Sequence, residues 1–427
     1  MTFHVLAKPI GPKCNIACGY CFYLEKEKLY PNKGRGSGWA MPEAVLESFI
    51  RQKLESSTTP VESFAWQGGE PTLLGVDYFR RVVALQRRHA KGRKVENALQ
   101  TNGMLLDATW CDFLKENDFL VGLSIDGPRH LHDHFRVDKQ GRPTFDAVMA
   151  GLSLLKEYGV TFNTLTVVQR HNGDHGREVY RFLKEAGSGV LQFIPAVEPV
   201  AEAQVSDGSV LPEQWGRFLI EVFDDWVRHD VGRTYVQLFD VALQIWSGLG
   251  TDLCLFSETC GRALALEHNG DLYACDHFVD PDHKLGNLLR SGLAEMVASE
   301  AQSRFGLHKR DGLPRLCREC EVRFLCHGEC PKNRFAVTPD GEAGLNYLCA
   351  GYKAFFHHSA PHMRFMSDAL HRGRAPAEVM AWTRAHDAAA LAQARPPGAG
   401  RPAKLGRNAP CPCGSGRKHK QCCLRRA

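Results

Sequence analysis

Three cysteines with unequal spacing carry the first chemical signal in this chain. In CNIACGYCFYLEKEKLYP, Cys14, Cys18 and Cys21 are separated by three and then two residues, with no fourth cysteine nearby. A structural zinc takes four ligands, so the triplet is incomplete as a zinc site. A 4Fe-4S cluster held by three thiolates would instead leave one iron open to a ligand from outside the chain. Three short motifs keep the triplet company: GGEP at Gly68 to Pro71, QTNG at Gln100 to Gly103 and SIDG at Ser124 to Gly127. Each alone reads as a turn. Each also closes a predicted strand, and loops after successive parallel strands share one rim of a barrel, where such folds place their chemistry.

Eight further cysteines, Cys254, Cys260, Cys275, Cys317, Cys320, Cys326, Cys330 and Cys349, make two complete sets of four. By spacing alone, zinc ions and iron-sulfur clusters would accept them equally well. The last group, GRNAPCPCGSGRKHKQCC, sets Cys411 and Cys413 against Cys422 and Cys423 around a Gly-Ser turn. Four soft ligands this close together specify a small tetrahedral site, most simply zinc, and so short a segment cannot fold without metal. The remaining cysteine, Cys111, lies in a helical pattern between Trp110 and Phe113 and is expected among apolar neighbours.

The elements that must position these residues show in the periodicity. The β-rich runs FHVLAKPI, VESFAW, KVENALQT, FLVGLSI, VTFNTLTVV and GVLQFIPAV alternate with amphipathic stretches such as VDYFRRVVALQRRHA and TFDAVMAGLSLLKEYG. Six such units predict an α/β fold, a partial (β/α)6 barrel of TIM type that is open at the side, since a complete barrel has eight. The 427 residues are 44% hydrophobic and 24% charged, as in an ordinary globular protein. No apolar run is long enough to cross a membrane, and MTFHVLAKPIGPKC lacks the segments of a secretory signal, so no membrane insertion is expected. A cytoplasmic location is expected, where cysteines stay reduced and bind metal. The formal net charge is +5, but residues 401–427 carry eight Lys or Arg and no acid, leaving −3 for the rest. An electrostatic partner therefore belongs to the tail.

Through Cys14, Cys18 and Cys21, the aromatic Tyr20 and GGEP, the sequence resembles the radical S-adenosylmethionine superfamily. The resemblance implies that the open iron is chelated by the methionine moiety of S-adenosylmethionine. Glu70 would then accept from the methionine ammonium, and Asn102 and Ser124 would hydrogen-bond the ribose or carboxylate. The later cysteines resemble a SPASM domain, which carries two auxiliary 4Fe-4S clusters. By that likeness Cys254, Cys260, Cys275 and Cys330 hold the first, and Cys317, Cys320, Cys326 and Cys349 the second. WQGGEPTLLG, SIDGPRHLHD and ACDHFV extend the resemblance to the anaerobic sulfatase-maturating enzymes. The tail resembles the SEC-C motif, a zinc-binding module.

Composition along the chain and these likenesses give the expected boundaries: a radical barrel over residues 1–200, a helical bridge over 201–250 and a SPASM domain over 251–370. A helix with a Pro/Gly/Ala linker spans 371–405, and the zinc motif 406–427. The likenesses also imply an activity, conversion of a Cys or Ser in the C/S-x-P-x-R segment of an unfolded sulfatase to formylglycine. Once a deoxyadenosyl radical has removed a β-hydrogen, Asp276, beside Cys275, would take the thiol or hydroxyl proton, and a nearby cluster the electron. Tyr23 and Gln67 match positions at the substrate end of the pocket. A flavodoxin- or ferredoxin-type reductant is expected, with translocation machinery or the ribosome as the tail's partner. Two alternatives share many of these residues. One is a radical peptide modifier forming thioether or carbon-carbon crosslinks, and the other is a non-enzymatic, ribosome-associated metal protein.

Overall fold

A computed structural model describes residues 3–30, 38–201, 204–251, 253–394 and 406–423. Six parallel strands form the centre of the sheet: β1 His4–Lys8, β2 Val61–Trp66, β3 Lys94–Thr101, β4 Leu120–Ser124, β5 Phe162–Val168 and β6 Val190–Pro195. They lie within the six runs picked out by β-rich composition. Between them run α1 Glu43–Ser56, α2 Val76–His89, α3 Ala108–Glu116, α4 Arg129–Phe135, α5 Phe145–Glu157 and α6 Gly176–Glu185. In β2 the alternation is visible: Glu62, Phe64 and Trp66 face inward, and Val61 and Ser63 are exposed. Phe64 and Trp66 stack with ring centroids 6.1 Å apart and meet Phe49 of α1 and Phe79 of α2. Cys111 is fully buried in this core.

The sheet does not stop at six strands. After a short hairpin, β7 Pro199–Ala201 and β8 Gln204–Val205, the helices α7 Pro212–His229 and α8 Gln237–Trp246 flank a short strand, β9 Tyr235–Val236, which adds beside β6. On the opposite edge β10 Ala263–Glu267 runs parallel to β1, and β11 Asp271–Tyr273 and β12 Lys284–Asn287 extend the sheet antiparallel. The strand order is β12-β11-β10-β1-β2-β3-β4-β5-β6-β9. The cysteine-rich region thus begins by covering an edge of the barrel sheet. Periodicity does not announce this, because β9 and β11 are two and three residues long. Residues 1–379 form one compact unit and 380–427 a second.

Within the first unit α7 packs on the long helix Cys349–His371 through facing glycines. A Cβ on Gly216 would stand 2.9 Å from Gly351 Cα, and one on Gly351 only 2.2 Å from the Pro212 carbonyl. The bridge helices are therefore pressed against the helix whose first residue is Cys349. Part of the expected linker, residues 395–405, lies outside the described residues.

Candidate active site

The loop after β1 carries the cysteine triplet and is pinned from two sides. On the GGEP side, Gly69 N donates to Gly11 O at 2.8 Å and Glu70 N to Lys13 O at 2.8 Å. A Cβ on Gly69 would lie 1.9 Å from Lys13 O, so this approach requires glycine. On the SIDG side, the fully buried Asp126 accepts from Tyr20 Oη at 2.5 Å, Arg136 Nη2 at 3.1 Å and Val167 N at 3.0 Å. Backbone bonds from Ala17 N to Val137 O and from Gly19 N to Phe135 O join the loop to the exit of α4. Burial pushes the Cys14 thiol up to about 11 and Cys18 to about 12. A metal cation at this site would stabilise the thiolate form that burial disfavours.

Cys14, Cys18, Cys21, Glu70, Asn102 and Ser124 line one cavity of about 190 Å³, with Gln67 on its wall. The motifs spread over four loops converge here. Glu70 is buried, which raises its pKa, although hydrogen bonds oppose the shift. Its Oε1 accepts from Thr72 N, Thr72 Oγ1 and Thr101 Oγ1 at 2.6–3.0 Å, and its Oε2 from Asn102 N at 2.7 Å. Asn102 in turn donates to Asn15 Oδ1 at 2.7 Å, tying the end of β3 to the cysteine loop.

Asp276 does not line the cavity itself; its neighbour His277 does. Lys8, at the end of β1, joins the two regions. Its ammonium is 2.5 Å from Asp276 Oδ1, 3.5 Å from Gln67 Oε1 and 4.6 Å from the centroid of the Tyr23 ring. Burial raises the Asp276 pKa, but the Lys8 charge and its hydrogen bond oppose this, and the carboxyl is held below its ordinary value. Burial pushes His277 down to about 4, leaving a neutral imidazole. Tyr23 lies behind the wall, buried, with its hydroxyl donating to Glu267. The register that pairs Lys8 with Glu267 across β1 and β10 sets these groups side by side.

The eight later cysteines sort into two electrostatic groups. Cys254, Cys260, Cys275 and Cys330 influence one another, as do Cys317, Cys320, Cys326 and Cys349. In the tail, Cys411, Cys413, Cys422 and Cys423 have sulfurs all within 4.8 Å of one another, and Cys413 Sγ is 3.3 Å and 3.4 Å from those of Cys411 and Cys422. A tetrahedral zinc spaces its thiolates about 3.8 Å apart, so the tail sulfurs suit a single ion. Among the described residues no other group of cysteines is that close. A four-iron cube is larger than an ion and needs wider spacing.

Lys8, Asp126, Arg136 and His277 were not singled out from the sequence. Asp126 had a signal, as the acid of SIDG. Lys8 had none beyond its place at a strand end.

Residues 9–183 match the radical SAM superfamily, 254–321 an iron-sulfur cluster-binding domain and 407–425 the SEC-C motif. The chain is 44% identical to the serine-type anaerobic sulfatase-maturating enzyme of Bacteroides thetaiotaomicron, over 88% of this chain and 94% of that one. It is 35% identical to the cysteine-type enzyme of Clostridium perfringens, over 84% and 96%. The solved structure of native anSMEcpe with bound AdoMet and Cp18Cys peptide matches with a TM-score of 0.78 at 34% identity, covering 86% of this chain and 99% of that one. With its partial barrel, its cysteine triplet and relatives this similar over nearly their whole length, the chain belongs to the anaerobic sulfatase-maturating enzymes of the radical SAM superfamily.

Proposed function

We propose that this enzyme oxidises a Cys or Ser side chain in the C/S-x-P-x-R segment of an unfolded sulfatase to formylglycine, in a reducing, oxygen-poor cytoplasm. The observation that carries the reading is the Lys8–Asp276 pair, an ionised carboxylate held beside the cavity where Cys14, Cys18 and Cys21 converge. In this reading the triplet holds a 4Fe-4S cluster, and S-adenosylmethionine occupies its open position. The donors fit, since no fourth cysteine lines the cavity. Glu70 Oε2 accepts only the Asn102 amide among the described residues, which leaves it capacity for an ammonium. Asn102 and Ser124 are assigned to the ribose or carboxylate. When bound, cofactor and cluster supply a radical able to remove a β-hydrogen.

Asp276 then takes the proton from the substrate Sγ–H or Oγ–H, with Lys8 keeping that carboxylate ionised and in place. The second electron would pass to a nearby cluster, and a Cys substrate would release its sulfur as sulfide when water completes the aldehyde. Gln67 and Tyr23 bound the substrate end, Gln67 on the wall and Tyr23 through its contact with Lys8. Cys254, Cys260, Cys275 and Cys330 hold one auxiliary 4Fe-4S cluster, and Cys317, Cys320, Cys326 and Cys349 the other. Cys411, Cys413, Cys422 and Cys423 hold zinc. A flavodoxin- or ferredoxin-type protein supplies electrons, and the basic tail recruits the enzyme to translocation machinery or the ribosome.

The relatives include serine-type and cysteine-type enzymes, so both substrates enter the test. Peptides carrying S-x-P-x-R and C-x-P-x-R are incubated anaerobically with the enzyme, S-adenosylmethionine and a reductant, then read by mass spectrometry. An aldehyde at the target position of at least one peptide is expected. A crosslinked product with no aldehyde would replace this reading with the thioether or carbon-carbon alternative.

A further inference from the structure

The last turn of the helix Glu300–Asp311 carries a lysine that makes no ion pair among the described residues. Lys309 is fully buried, and its Nζ donates to two neutral acceptors, the carbonyls of Cys254 and of Leu255, the latter at 2.8 Å. An ammonium has three N–H donors, so one is left without a carbonyl. Among the described residues Lys309 makes no ion pair. The buried carboxylate in its neighbourhood, Glu329, is instead held by the amides of Asn333 at 3.0 Å and Asn346 at 2.6 Å. Taking a lone cation out of water is unfavourable unless an anion compensates it. The strongest electrostatic attractions on Lys309 come from the sulfurs of Cys254 and Cys260.

The neighbouring cation repeats the pattern. Arg334 donates to the carbonyls of Gly328 at 2.8 Å, Lys309 at 2.6 Å and His327 at 2.7 Å, and again makes no ion pair among the described residues. It clamps a turn in which His327, Gly328 and Glu329 all have positive φ, at 44°, 72° and 53°. That turn carries Cys326 on one side and Cys330 on the other, members of the two different sets. Both cations thus spend their hydrogen bonds on neutral oxygens, and cysteine sulfurs are the strongest attractions on each, Cys254 and Cys260 on Lys309 and Cys317 and Cys326 on Arg334.

We propose that Lys309 is the resident counter-cation of the auxiliary cluster bound by Cys254, Cys260, Cys275 and Cys330, raising its reduction potential so that it accepts an electron readily. The inference rests on the cysteine assignment made under the proposed function. The physics is direct: reduction adds negative charge to an already anionic centre, and a fixed positive charge in a low-dielectric interior stabilises the reduced form more than the oxidised one. Lys309 touches neither substrate nor cofactor and is a positioning residue acting through the cluster.

The test is a redox titration of the anaerobically reconstituted full chain, followed by electron paramagnetic resonance with iron analysis alongside. Lys309→Gln keeps an N–H donor for the carbonyls and removes the charge, whereas Lys309→Arg keeps the charge. With full iron content, the Gln variant should shift one auxiliary midpoint to more negative potential and leave the other signals in place. The Arg variant should stay near wild type. A fully loaded Gln variant with a wild-type midpoint overturns the proposal. If the Gln variant loses one cluster's iron, retention by the Arg variant upholds the charge, and equal loss from both variants overturns it in favour of side-chain shape. A wild-type chain without auxiliary iron would overturn the cysteine assignment itself, a result distinct from an unmoved potential.

Discussion

At the scale of single residues, the carboxylate proposed as base is paired with a buried cation. Asp276 alone would be pushed toward its neutral form by burial, and Lys8 reverses this. A base with a depressed pKa binds its proton weakly, so the fixed ammonium exchanges base strength for a carboxylate that is always ready. Asp276→Asn cannot take the proton and should lower formylglycine formation by about two to four orders of magnitude. Cleavage of S-adenosylmethionine should continue, because the triplet and Glu70 are untouched. The substitution also leaves Lys8 buried without its anion, so iron content is measured with the rate, and retention of iron is expected. A wild-type rate in this variant would remove Asp276 from the chemistry.

At the scale of elements, the cysteine loop has little regular structure of its own and is shaped by its neighbours. Strands β2 and β4 end in motifs whose backbone and buried carboxylate hold it, and the exit of α4 supplies Arg136 and the carbonyls of Phe135 and Val137. Gly69→Ala places a methyl group where Lys13 O now sits, and a backbone atom cannot yield as a flexible side chain can. We expect this variant to lose about a third of the iron, the share of one cluster in three, together with cofactor cleavage. The auxiliary clusters should keep their iron, since their ligands lie on other segments. Full iron and wild-type cleavage would show that the loop is held by Asp126 and Arg136 alone.

At the scale of the whole molecule, the chain divides into a catalytic unit and a short basic unit with its own four thiols. The tail's positive charge stands against a net negative remainder, which suits a recruiting module better than a catalytic one. A chain ending near Gly400 should keep about twelve irons and normal turnover of a short peptide, lose about one zinc, and mature full-length sulfatase poorly in cells. Metal analysis, peptide assay and cellular maturation check the three parts separately. Loss of peptide turnover would show that the tail supports the active site, and unchanged maturation would leave it without the role proposed here.

The sequence by itself determined what is local. Cysteine spacings depend on nothing beyond a few residues, and strands β2 and β3 were legible to the residue because alternation and β-branched or aromatic content fill one pleated face. The convergence of GGEP, QTNG and SIDG also followed, since parallel strands deliver their loops to one rim. Only the tertiary structure decided which groups meet across the chain. The pairing of β1 with β10 brings Lys8 to Asp276 and Tyr23 to Glu267, and no periodicity encodes that register. Lys309 reads in the sequence as an ordinary basic residue beside Arg310 and Asp311, of the kind usually found on the surface. Burial without a carboxylate is what sets it apart, and burial is a property of the packed molecule.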